Sequence, residues 1–469
     1  MSRGRREEMD EVELIEVDGP DSAAVPAPTV PWVRVPLPWK PVARRWWPLP
    51  VVLAAALVLA DLGTGSRQER DVQHAQTVPG VARPIGPDVH VSELSAAEQW
   101  SWYGDPVAGL LVQSSWDESG APEVSAVDPE SGDQLWRTRL DSADPASAYS
   151  ASSACWEESG LIACWSSVGV FDDDGAVQVT RSRLVRLDPA DGELLSDDPL
   201  PEDTSLLGDG AIRVAATDRD GTVAVSATEP DGTALWAVEL PDQDGSAGFL
   251  SLSLRFEDDL VLLGSPGGAW ALDRRDGRTL AAGAAVWESR QGRLLVSGDG
   301  TVQVATRGGG QVDLGEGDPV LLGTDDGSVP QAEFVADRGG DRLHAVDART
   351  GARMWTSEEV FSGGIGLVLV AGLLIGPAPD GLLALDARTG AVRWRDDVAV
   401  QDTWSGLPVT DGRHVLLVGQ EDDGPALVAL DLHSGVRTWT APLPSDALGL
   451  AVVDHRLLLY RDSGTSELS

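Results

Sequence analysis

One eleven-residue pattern constrains this chain more than its composition does. It runs apolar-x-Asp-x-x-(Thr/Ser/Asp)-Gly-x-x-x-Trp, and it recurs as AVDPESGDQLW (126–136), RLDPADGELLS (186–196), ATEPDGTALW (227–236) and ALDRRDGRTLA (271–281). Further copies follow as AVDARTGARMW (345–355), ALDARTGAVRW (384–394) and ALDLHSGVRTW (429–439), with a degenerate one, VATRGGGQVDL, at 304–314. The positions equivalent to the Asp (128, 188, 229, 273, 306, 347, 386 and 431) are spaced 60, 41, 44, 33, 41, 39 and 45 residues apart. A period near 40 means one small β-unit per repeat.

Each copy makes local sense as a hairpin. An apolar strand runs into a turn whose Asp accepts backbone hydrogens, a Gly takes positive φ, and a returning strand ends in Trp. Upstream of several copies lie two more strand-like runs, as at 366–375 and 414–418. Four strands per repeat make a propeller blade, and blades stack because none covers both its faces alone. The expected fold is therefore all-β, a β-propeller of about eight four-stranded blades, with seven also compatible with the irregular early spacing. Residues 449–460 lie beyond the last hairpin and are expected to pair with the N-terminal blade, closing the ring. The residues Trp136, Trp236, Trp355, Trp394 and Trp439 are read as wedges docking one blade on the next rather than as a ligand-stacking set.

The pattern resembles the tryptophan-docking repeat of the PQQ-like (pyrroloquinoline quinone-like) propeller family, over about 91–460. Quinoproteins of that kind carry a vicinal cysteine pair over the cofactor and a carboxylate and amide set for calcium. This chain has no adjacent cysteines and no evident substitute for that set. The reading is accordingly a binding or scaffold module with no catalytic, cofactor-binding or metal residue assigned and no cofactor; the alternative is a quinoprotein-type oxidoreductase using the quinone. The resemblance extends in repeat type to the assembly propeller of Gram-negative outer membranes, which is a lipoprotein. This chain has no cysteine near its apolar segment and so no lipoprotein anchor.

The first 45 residues are polar and Pro-rich, a composition that buries no core, and they are read as a disordered cytoplasmic tail. Residues 46–62 are apolar and follow Arg44 and Arg45. That places them as a single transmembrane signal anchor with the N-terminus cytoplasmic and the propeller exported to the outer face of the cell membrane. A cleaved signal peptide ending at Ala60, giving a secreted protein, is the rival. Residues 63–90 read as a stalk with a short polar helix, and 461–469 as a disordered C-terminus. A net charge of −40 repels phosphate backbones, so nucleic acid is excluded as a partner. The partners that remain are the membrane itself and an envelope protein, peptide or polysaccharide.

Cys155 and Cys164 flank Ser159-Gly160, a two-residue turn that sets the cysteines opposite each other across a hairpin, where an oxidising compartment makes a disulfide. The histidines 74, 90, 344, 414, 433 and 455 are scattered with no nucleophile or metal spacing, and read as surface or packing residues. The run Asp172-Asp173-Asp174-Gly175 reads as a solvated turn rather than a calcium loop.

Overall fold

The repeat's hairpins set the architecture. The computed structural model describes residues 69–469 apart from 71, 95–105, 118–120, 141–149, 172–176, 220–221, 242–251, 266, 309, 340–341, 360, 363–364 and 399–406. The described residues form nine sheets in chain order, at 111–139, 150–200, 204–241, 253–283, 285–316, 318–357, 365–396, 409–442 and 447–468, numbered here 1 to 9. Within most sheets each strand pairs with its neighbour in sequence, the meander of a propeller blade; sheets 6, 7 and 9 carry exceptions described below.

Each expected hairpin joins the last two strands of one sheet. In sheet 6 the Asp347 amide donates to Ala352 O at 2.9 Å and Gly351 N to Asp347 O at 2.8 Å, while Asp347 Oδ1 accepts from the amides of Arg349 and Thr350. The Thr350 hydroxyl, together with those amides, holds the Asp347 carboxyl below the usual carboxylate range. The ladder slips by one residue just before the Asp in every well-formed copy, at Ala126/Val127, Ala345/Val346 and Ala384/Leu385 for example. In the degenerate copy the slip moves to Val302/Gln303. That bulge turns the returning strand so that its Trp faces the following sheet.

The docking itself repeats. Trp136 Nε1 donates to Pro189 O, Trp236 to Arg274 O, Trp355 to Ala387 O and Trp394 to Leu432 O, at 2.9 to 3.0 Å. In each case the acceptor follows the turn Asp of the next sheet. The indole also lies on that turn's glycine: a Cβ on Gly192, Gly277, Gly390 or Gly435 would stand 2.4 to 2.6 Å from ring atoms of the docked Trp. At Gly232, whose preceding hairpin ends in Ser196 rather than Trp, a Cβ would meet nothing within 4 Å, whereas at Gly351, behind the degenerate copy, it would stand 2.4 Å from Asp313 O. Trp439 has no such turn ahead of it and packs instead between sheets 8 and 9, edge-on to His414 at 5.9 Å.

The eight hairpins account for eight sheets, and the ninth departs from the expected count of about eight. Strands Ala447–Val453, Arg456–Arg461 and Gly464–Leu468 take Val91–Glu93 as their fourth, with Val91 opposite Leu468. The C-terminal strands thus build their own sheet rather than extending the N-terminal one. Its last two strands come from opposite ends of the domain, so no contiguous hairpin motif marks it. The tail expected to be disordered, 461–469, supplies a strand. Inside this sheet the Ser463 hydroxyl and the Arg461 guanidinium hold the Asp446 carboxyl down to about 2.

Residues 72–90, read from composition as part of a stalk, lie on the propeller. Val72, Ala75, Val81 and Ala82 are buried against sheets 7 to 9. The amides of Ala82 and Arg83 donate to Thr410 O and His455 O at 2.8 Å, and His455 Nδ1 donates to Val81 O at 2.8 Å. His74 Nε2 donates to Asp326 O at 3.0 Å. The segment is a strap that crosses three sheets before delivering the closing strand at 91–93. The expected anchor, 46–62, and the tail before it lie outside the described residues; among those described, no helix is long and apolar enough to cross a membrane.

Three outcomes are expected. Gly390→Ala should destabilise the protein by about 2 to 4 kcal/mol in urea unfolding, combining overpacking with left-handed strain, and Gly232→Ala by about 1 to 2 kcal/mol from strain alone. A chain starting at residue 95 should melt at least about 10 °C lower than one starting at residue 69, because it lacks both strap and closing strand. Because its pKa is depressed on folding, Asp446 contributes stability fully present above its ordinary 3.8 and lost as pH falls through about 2; an NMR titration midpoint near 3.8 would contradict this.

Candidate functional site

The first strand of most sheets lies at one edge of its sheet, and the sequence there is less regular than in the hairpins. Sheets 4 and 5 begin with Ser253–Glu257 and Ala285–Glu288, each paired on one side only among the described residues. Sheet 7 differs, since a fifth strand, Leu321–Asp325, runs parallel to its first strand, Ile365–Val370. This added strand comes from an insertion inside sheet 6, between Asp318–Pro319 and Ala332–Ala336. Close approach is possible because two glycines meet: a Cβ on Gly323 would lie 3.3 Å from the Gly366 Cα. The strap bonds to the same strand, with Thr324 Oγ1 donating to Gly80 O at 3.1 Å.

Between these strands lies a cavity of about 460 Å³. Leu295, Val320, Leu321 and Leu322 give it an apolar side, Trp287 an aromatic wall, and Arg255, Glu257 and Glu288 a charged rim. Its base is a tight ionic cluster. Arg290, nearly buried in the turn after Glu288, grips Asp325 with two hydrogen bonds of 2.6 and 2.9 Å and donates to Ala332 O at 2.7 Å. Arg293 Nε donates to Glu333 Oε1 at 2.8 Å, and the Ser289 hydroxyl to Oε2 at 3.1 Å. Burial pushes the Glu333 carboxyl up, opposed by the two arginines. These pairs lock the base in place because an unpaired buried charge would be strongly destabilising.

The rim is different. Burial raises the Glu288 carboxyl, and the negative charge of Glu257 raises it further against the pull of Arg307. Arg255 is more than half exposed and reaches Glu257 only at 3.4 Å. The rim thus brings a half-buried indole, Trp287, and two carboxylates that repel each other to one cavity. Among the described residues no cluster of His, Cys, Asp and Glu is placed to hold a metal ion.

The residues singled out in the sequence lie elsewhere. Cys155 and Cys164 are opposite one another in sheet 2, with Cα atoms 4.1 Å apart, and form the disulfide. Ser159 and Gly160 make the joining turn, both at positive φ. Of the five docking tryptophans, four dock as described and none reaches the cavity. Four histidines serve packing: 74, 414 and 455 around the strap, and buried His344 between Asp337 and Thr356. The run Asp172-Asp173-Asp174-Gly175 falls outside the described residues. The cavity residues were not found in the sequence; their one signal is a tryptophan, Trp287, off the repeat position within WESRQGR.

The repeat geometry agrees with family comparison. The family model described as outer membrane protein assembly factor BamB matches residues 120–339 and 339–464. The chain belongs to this PQQ-like repeat family. No curated protein matches the chain. Among solved structures similar to this PQQ-like propeller are BamB from Moraxella catarrhalis and apo AztD from Citrobacter koseri. The first is 18% identical over 83% of this chain and 96% of its own, with a TM-score of 0.37. The second is 12% identical over 69% of this chain and 92% of its own, with a TM-score of 0.30.

Proposed function

We propose that this protein is a binding or scaffold module for protein assembly in the cell envelope, tethered by residues 46–62 with its propeller on the outer side of the membrane. The observation that carries the reading is the family match over 120–464, whose description names an outer membrane assembly factor. The fold suits the role physically. Docked sheets give a stiff frame, and stiffness lowers the entropy lost when a partner binds. The strap packs on sheets 7 to 9 and so adds to the frame. The acidic surface favours a partner with complementary basic groups and faster encounter at low salt.

Crosslinking and affinity purification of the full-length protein from membranes of its host, with mass spectrometry of its N-terminus, tests this reading. A discrete envelope protein retained with N-terminal peptides intact is the expected result. A stoichiometric quinone, with no retained protein and dye-linked oxidation of an alcohol or sugar, would overturn it in favour of an oxidoreductase.

A further inference from the structure

The cavity shows what kind of occupant fits it, because the chain covers the corresponding edge of sheet 7 with a piece of itself. The first strand of sheet 7, Ile365–Val370, has its edge covered by the extended segment Leu321–Asp325, in parallel register from Leu321 opposite Ile365 to Asp325 opposite Leu369. The first strands of sheets 4 and 5, Ser253–Glu257 and Ala285–Glu288, have that edge unpaired among the described residues, and both border the cavity. An open strand edge offers a row of backbone donors and acceptors to any extended chain.

The side chains narrow the choice. An extended segment alternates its side chains between two faces. Here one side of the cavity is apolar, with Leu295, Leu321 and Leu322, and the rim presents Trp287 with Glu257 and Glu288. A guanidinium or ammonium set against the indole and between these carboxylates would relieve their repulsion. The base arginines, 290 and 293, are already committed to Asp325 and Glu333, while at the rim Arg255 reaches Glu257 at 3.4 Å and Arg307 reaches Glu288 at 3.3 Å, longer pairs that an incoming cation would have to displace or share.

We propose that the cavity binds an extended peptide segment by strand addition to the first-strand edge of sheet 4 or 5, with a lysine or arginine of that segment seated against Trp287, Glu257 and Glu288. This rests on the binding-module reading and gives it a site and a partner chemistry. Apolar residues flanking the basic one meet the leucine side of the cavity. The net charge of −40 steers such a segment toward the protein.

The test uses the full-length protein and a fluorescein-labelled heptapeptide alternating valine and threonine around a central arginine. Anisotropy should report saturable binding that weakens about tenfold or more when the arginine is replaced by glutamate or norleucine. Glu257→Gln and Glu288→Gln should each weaken it severalfold while near-ultraviolet circular dichroism stays unchanged. Hydrogen exchange should slow at 253–257 and 285–288 on binding. Equal affinity for the arginine and glutamate peptides, which needs no variant of the protein, would overturn the proposal; so would protection confined to other sheets. If purification from membranes retains an envelope protein whose binding the two Gln variants leave unchanged, the scaffold reading stands and the cavity assignment falls.

Discussion

The indole of one sheet resting on the glycine turn of the next is the contact on which the architecture depends. It combines two requirements that the indole meets together. The ring must cover the apolar flank of a neighbouring sheet, and its one polar atom must find an acceptor once buried. The carbonyl after the turn Asp supplies that acceptor, and the glycine leaves the ring room. The two halves of the contact lie in consecutive repeats, so each repeat is a key for one neighbour and a lock for the other. Ahead of Gly232 the key is missing and the lock stands open; ahead of Gly351 it is also missing, and the backbone at Asp313 takes the space instead.

A frame built this way has to end, and the ends are where the rule changes. Sheet 9 carries no hairpin of the repeated kind, and Trp439 packs on it without the usual acceptor. Closure comes from backbone pairing between Val91–Glu93 and Gly464–Leu468, reinforced by the strap. The strap in turn reaches the added strand through Thr324 and Gly80, so closure and cavity share a structural element. The cavity therefore rests on paired arginines and carboxylates, with the more exposed rim residues above them.

The hairpins were legible in the sequence because turn chemistry is local. An Asp, a Gly at positive φ and a Trp at fixed offsets specify the bulged turn whatever surrounds them. The disulfide was legible for the same reason, its turn being Ser159-Gly160. The ninth sheet was not, since its last two strands are separated by almost the whole domain and neither carries a motif. The strap was misread because Val72, Ala75, Val81 and Ala82 are too few and too widely spaced to signal burial in a polar, Pro-interrupted stretch. The cavity was hidden for a third reason. Arg290, Asp325 and Glu333 are far apart in sequence, and an arginine-rich acidic chain offers many such pairs with nothing local to choose among them.

The most direct test of the docking account is a double-mutant cycle between Trp355 and Gly390, followed by urea unfolding. If the glycine is required because the indole occupies the space of its Cβ, Gly390→Ala should destabilise a Trp355→Ala background by only the backbone strain. The coupling should then be about 1 kcal/mol or more. Additive effects, within about 0.3 kcal/mol, would show that the glycine serves its turn alone and that the contact does not set the order of the sheets.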